Sequence, residues 1–110
     1  MRAPPLALVQ GTLDLLVLRT LASGPMHGYS IATAVRERTG GELSIEDAAL
    51  YQSLHRLDRQ GLLDAEWGPS ENNRRARYYT LTATGRKRLR EETSNWRRYS
   101  RAVDAVLQEA

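Results

Sequence analysis

The stretch that decides the fold is LLDAEWGPSENNRRARYYTLT, residues 62–82. Leu63, Ala65 and Trp67 alternate with Asp64 and Glu66, and beyond a polar middle Tyr79 and Leu81 alternate with Tyr78, Thr80 and Thr82. Successive side chains on a strand point to opposite faces, so a period of two on both sides marks two half-buried strands. Their connection, roughly Gly68 to Ala76, holds Gly, Pro, Ser and the pair Asn72 and Asn73, residue types that accept tight or left-handed turns. The spacing predicts a hairpin whose tip carries three arginines within four positions, Arg74, Arg75 and Arg77.

Immediately upstream, residues 45–63 read IEDAALYQSLHRLDRQGLL. Leu50, Leu54 and Leu57 recur at helical spacing and face a core. Ala49, Gln52, Ser53, His55, Arg56 and Arg59 occupy the other flanks, and Gly61 closes the helix. Ser44 with Asp47 three residues on, or Asp47 itself, is expected to cap its first turn. A brief extended piece, Leu43 to Ile45, is expected to lead into it.

Two more helices precede this one. In GTLDLLVLRTLASGP, residues 11–25, Leu13, Leu16, Val17 and Leu21 keep helical spacing while Leu15 and Leu18 widen the apolar stripe, so the helix is buried on most sides. Ser23, Gly24 and Pro25 stop it. The next begins near His27, which is expected to cap it, and runs through Ile31 and Val35 to the terminators Gly40 and Gly41. Gln10, Asp14 and Arg19 break the N-terminal apolar run well short of the roughly 18 residues that a membrane span requires. From about Ala83 onward a fourth helix spaces Leu89, Trp96 and Val103 by seven and Tyr99 and Val106 by seven. These interleave as a and d positions of a heptad interrupted at Glu92, with Arg97, Arg98, Arg101 and Glu109 on other faces.

Composition limits what such a chain does. At 110 residues with 41% hydrophobic side chains it supports one modest core. It contains no cysteine, so thiol chemistry, disulfides and thiolate metal sites are excluded and a reducing, cytoplasmic setting is expected. Charge is unevenly placed. Residues 1–70 carry six arginines against eight acids, whereas residues 71–110 carry nine arginines and Lys87 against five acids. Fifteen of the sixteen cations are arginine, whose planar fork matches phosphate and guanine edges, although codon bias yields the same excess.

Helix, helix, short strand, helix and hairpin is the order of a winged helix-turn-helix, mainly α with a small β-hairpin, here followed by a C-terminal helix. In that architecture the third helix enters the major groove of double-stranded DNA and the hairpin tip, the wing, follows the backbone or minor groove. The arginines of the tip then have a use. Residues 1–82 would form the DNA-binding unit and residues 83–110 the dimerisation helix of the same compact body.

GPMHGYSI (24–31), LYQSLHRLDRQGLL (50–63) and RYYTLTATGRKRL (77–89) resemble, in the same order and spacing, the three sequence blocks of PadR-like transcriptional regulators. The resemblance spans about residues 8–90. It implies a homodimeric bacterial regulator, usually a repressor, of the short-tailed branch with a single C-terminal helix. Gln52 stands where the family usually has Pro, and Ala48 and Ala49 stand where Gly-Thr is common, so base preference does not transfer from relatives. Gln52 itself has the amide geometry that reads adenine.

The expected DNA contacts are therefore Ala49, Tyr51, Gln52, Ser53, His55 and Arg56 on the helix and Asn73, Arg74, Arg75 and Arg77 on the wing. For Tyr51, a contact to the DNA backbone and packing beneath the wing weigh equally. Leu89, Trp96, Tyr99, Val103, Val106 and Leu107 form an apolar seam that a second copy would cover. Interface packing is the default reading of Trp96. Some relatives that this chain resembles bind flat apolar molecules between the dimer helices, and that resemblance makes Trp96 and Tyr99 the candidate flanks of a planar aromatic effector.

With only His27 and His55 and no spaced partners, no metal or other cofactor is expected. No nucleophile elbow or phosphate-binding glycine loop points to an enzyme. The alternative from another class is a winged-helix module that docks a partner protein and has no specific DNA site. RNA is a weaker partner because no aromatic stacking platform is evident.

Overall fold

The computed structural model describes residues 4–9 and 11–108; Gln10 and Glu109, used in the reading above, lie outside the described residues. The elements follow as α1 (Thr12–Leu21), β1 (Met26–His27), α2 (Gly28–Arg38), α3 (Asp47–Arg59), β2 (Leu63–Pro69), β3 (Arg75–Leu81) and α4 (Ala83–Leu107). Val17, Leu18 and Leu21 of α1, Ile31 and Val35 of α2, and Leu50, Leu54 and Leu57 of α3 meet in one core that the hairpin closes with Leu63, Tyr79 and Leu81. Each fully buried apolar side chain of this kind contributes about 1.5–3 kcal/mol. The helical periodicities thus converge on a three-helix core with a wing.

The short strand is not where the sequence suggested. Leu43 forms only an isolated bridge to Leu6, backed by Leu6 N–H donating to the Glu42 carbonyl at 2.8 Å. Met26 and His27 instead pair antiparallel with Tyr79 and Tyr78, giving a three-stranded sheet in the order β1-β3-β2. A two-residue segment has no periodicity to read, and only the adjacent open edge of β3 makes it a strand.

The caps divide in the same way. His27 does cap α2, its Nδ1 accepting from the Ser30 N–H at 3.3 Å. Neither Ser44 nor Asp47 caps α3, which starts after Glu46 with no side-chain cap. Asp47 instead sits in the first helical turn, where its charge faces the positive end of the helix dipole. The hairpin is also tighter than expected. Its strands continue to Pro69 and resume at Arg75, and a five-residue tip turns with Asn73 in the left-handed region at φ 60°.

The junction between wing and C-terminal helix is held by Thr82. Its hydroxyl accepts from Gly85 N–H at 2.9 Å and donates to the Gly61 carbonyl at 2.8 Å, while its own N–H reaches the Leu62 carbonyl at 3.1 Å. Gly85 lies so close to that carbonyl that a Cβ there would stand 2.1 Å from Leu62 O. After this anchored start α4 leaves the domain. Leu89, expected on the dimer seam, is 9% exposed and packed into the core of its own domain. The exposed part of the seam begins at Trp96 and continues through Tyr99, Val103, Val106 and Leu107.

Candidate nucleic-acid interface

Helix α3 presents a continuous outward stripe of Asp47, Ala48, Tyr51, Gln52, His55, Arg56 and Arg59, with Ala49 half-buried at its margin. Positions three, four and seven apart share a helix face, so burial of Leu50, Leu54 and Leu57 orients this stripe to solvent. Ser53 does not belong to it. The residue is 0% exposed, and its hydroxyl donates to Asp14 Oδ1 at 2.6 Å, so the structure replaces its expected role as a DNA contact with a tie to α1.

Arg56 is held by the same carboxylate. Its Nε donates to Asp14 Oδ2 at 3.1 Å and its NH2 group donates to Asp14 Oδ1 at 2.6 Å, a bidentate pair between α3 and α1. One fork edge is thus committed within the chain. Burial by itself raises the Asp14 pKa, but hydrogen bonds from Arg56 and Ser53, with the Arg56 charge, outweigh it and hold the carboxyl below its ordinary value. The hydrogen bonds to Asp14, with its charge, push the Arg56 guanidinium upward. Because the folded pKa is depressed, this contribution to stability is fully present above the ordinary carboxyl value of 3.8 and is lost as pH falls through the folded one.

Sequence reading passed over Asp14 as an interruption of an apolar run. An acid in a helix buried on most sides requires a partner, and that was the available signal. Asp14→Ala is expected to cost about 1–3 kcal/mol in urea unfolding, because the buried Ser53 hydroxyl loses its acceptor. Adding Ser53→Ala should return much of that loss, since no unsatisfied donor remains.

The wing extends the inner face of the sheet outward. Cross-strand register places Leu63 opposite Leu81 in the core, Ala65 opposite Tyr79, Trp67 opposite Arg77 and Pro69 opposite Arg75. One face is therefore aliphatic at its base and becomes indole and guanidinium as it leaves the domain. The Arg75 and Arg77 guanidinium carbons lie 5.3 and 5.8 Å from the Trp67 ring centroid. Arg77 also reaches Asp58 of α3 at 3.6 Å. Arg74 and Asn73 are exposed in the tip, and the turn is closed by Ser70 N–H donating to the Arg74 carbonyl at 2.7 Å. Trp67 and Asp58 were absent from the expected site; the signal for Trp67 was its register opposite Arg77, visible only once the turn length is known.

Between wing and helices lies a concave cleft of about 1040 Å³. Tyr51, Trp67, Arg74, Arg75 and Arg77 line it together with His27 at the start of α2. Tyr51 is half exposed and its ring packs on Gly28, where any Cβ would come within 2.9 Å of the phenol oxygen. It therefore rests on α2 while lining the cleft. Among the described residues no group of three or more metal-ligating side chains occurs.

Comparison with known proteins places this arrangement. The family model described as "Transcriptional regulator PadR-like family" matches residues 17–91. The structure is similar to that of a transcriptional regulator from Clostridium thermocellum, with a TM-score of 0.82 and 25% identity over 90% of this chain and 96% of that one. It is likewise similar to a PadR family transcriptional regulator from Eggerthella lenta, with a TM-score of 0.78 and 32% identity over 92% of this chain and 86% of that one. A protein from Lysinibacillus sphaericus is 26% identical over 101 residues, covering 92% of this chain and 93% of its own.

Proposed function

The chain belongs to the PadR-like family of transcriptional regulators, and from that premise we propose that it works as a homodimeric, sequence-specific repressor of the cytoplasm. The observation that carries the reading is the shared cleft: Tyr51 of α3 and Arg74, Arg75 and Arg77 of the wing face one concave surface. A duplex seated there would meet the outward stripe of α3 in its major groove while the wing follows the backbone. Gln52 and His55 are then the base-facing side chains, and Arg74, Arg75 and Arg77 meet phosphates. Arg56 keeps Asp14 on one edge and offers the remainder of its fork to the backbone.

Two copies joined along Trp96, Tyr99, Val103, Val106 and Leu107 would space two α3 helices for half-sites about one DNA turn apart. Such a dimer on an operator blocks access to the promoter by occupancy alone. No described helix is long and apolar enough to cross a membrane.

About eight phosphate contacts, three wing arginines and one helix arginine from each copy, correspond to a log-log salt slope near −7 on the counterion-release rule. Selection of bound fragments from a random duplex pool should recover an inverted repeat. Failure to recover any repeat, together with salt-insensitive binding, would remove the DNA reading in favour of a protein-docking module. Arg74→Ala should weaken all duplexes nearly equally and flatten the slope, whereas Gln52→Ala should relax preference at one base position.

The Trp96 and Tyr99 rings lie 6.1 Å apart at 36°, and Trp96 remains 39% exposed. Facing its copy across a twofold axis, this pair would form two walls of a slot suited to a planar aromatic effector that relieves repression. Titration with planar aromatic compounds should quench tryptophan emission in the wild type but not in Trp96→Phe. An identical response in both would remove Trp96 from the site.

A further inference from the structure

Trp67 is a large apolar side chain left 58% exposed on an edge strand, outside the core that its neighbours Leu63 and Ala65 join. Exposure of an indole next to two cations is an arrangement with a specific energy. The ring face carries negative charge density and attracts both guanidinium groups, Arg75 at 5.3 Å and Arg77 at 5.8 Å. Asp58 draws Arg77 from the α3 side at 3.6 Å, so that side chain is held between helix and ring. The backbone beneath is fixed as well. Pro69 pairs with Arg75 and Trp67 with Arg77, and the Tyr78 hydroxyl donates to the Pro69 carbonyl at 2.7 Å.

We propose that Trp67 is a positioning residue that assembles Arg75 and Arg77 into one phosphate clamp on the wing before DNA arrives. This rests on the DNA-binding reading and deepens it. A free arginine at a hairpin tip samples many rotamers, and immobilising it on binding opposes association. Arginines stacked on one indole have already lost much of that freedom. Their mutual repulsion persists until a phosphate, with charge spread over its oxygens, sits between their forks and removes it. Arg74, in the turn and away from the ring, makes an ordinary unorganised contact. The wing arginines therefore divide into a prepared pair and a free one.

The clamp is tested first without DNA. In a Trp96→Tyr background Trp67 is the remaining tryptophan, and adding Arg75→Ala with Arg77→Ala should make its emission clearly more accessible to acrylamide. Equal quenching with and without the arginines overturns the stacking. The second arm measures duplex affinity of the full chain across a salt series. Trp67→Leu is expected to weaken binding roughly tenfold with the salt slope retained, whereas Arg75→Ala lowers the slope by about one for each copy. Trp67→Tyr keeps a ring and should stay within roughly threefold of wild type. Combined with Arg75→Ala and Arg77→Ala, Trp67→Leu should have little further effect; a full loss in that background means that the indole touches DNA itself, and the positioning role is wrong. Circular dichroism checks that Trp67→Leu folds, and if it does not, Trp67→Tyr and the quenching arm decide. A wild-type chain with no duplex affinity at any salt overturns the DNA reading and the clamp's purpose with it, while the DNA-free quenching result still reports whether the stack exists.

Discussion

Val103→Glu is expected to yield a folded monomer whose operator affinity has dropped by about a hundredfold or more. Val103 stands one heptad beyond Trp96 on the exposed part of α4, among Tyr99, Val106 and Leu107. Val106 is 85% exposed, with nothing among the described residues to cover it. A carboxylate placed in that seam would have to be desolvated opposite its own copy, which opposes pairing strongly. Two tethered reading heads gain about 10² to 10⁴ in affinity over one, and the monomer forfeits that gain. The fold itself should survive, because the core is closed by α1, α2, α3 and the sheet and uses α4 only through its first turns at Gly85 and Leu89. Sedimentation and operator binding should therefore fail together while the circular dichroism spectrum persists. A dimer that stays intact in this variant refutes the seam.

Gly85→Ala is expected to have the largest effect on stability for the smallest chemical change. The added methyl would stand 2.1 Å from the Leu62 carbonyl oxygen, 3.1 Å from its carbon and 3.2 Å from Leu81 Cδ2. The obstacle is backbone, so no rotamer change relieves it. That carbonyl also accepts the Thr82 N–H, and the Thr82 hydroxyl caps α4 through Gly85 N–H itself. Moving α4 away thus breaks the junction that carries the C-terminal helix. Overpacking of this kind costs about 3 kcal/mol or more, which for a domain of this size lowers the melting temperature by roughly 12 °C or more. Gly61→Ala serves as the control. Gly61 has φ 75° but open space around its Cβ position, so only the left-handed conformation is penalised, at about 1 kcal/mol. Comparable losses in the two variants would show that close approach at Gly85 is not what the site requires.

Much of the fold was written in periodicity. The alternation around Leu63, Ala65, Tyr79 and Leu81 specified a hairpin and the face that each strand turns to the core, since a slip of one residue would have turned Leu63 and Leu81 out of it. The spacing of Leu50, Leu54 and Leu57 likewise determined which side of α3 faces outward, because those leucines cannot be buried without exposing Tyr51, Gln52 and His55. The clustering of Arg74, Arg75 and Arg77 beyond the core-forming part of the hairpin makes the wing basic. These features depend on nearest neighbours along the chain, and the sequence states them directly.

Tertiary structure decided what distant residues do to one another. Ser53 and Arg56 look like free polar side chains until α1 brings Asp14, 39 and 42 residues away in sequence, against both of them. Leu89 reads as the first rung of an intermolecular seam until the packing of α4 on the core claims it. Trp67 reads as a core aromatic until a tight five-residue turn aligns it with Arg77 outside the core. Met26 and His27 become a strand solely because β3 has an unpaired edge beside them. In each case the partner is set by how one element packs or pairs with another, and periodicity, which reports only the direction in which a side chain points, carries no record of what it will meet there.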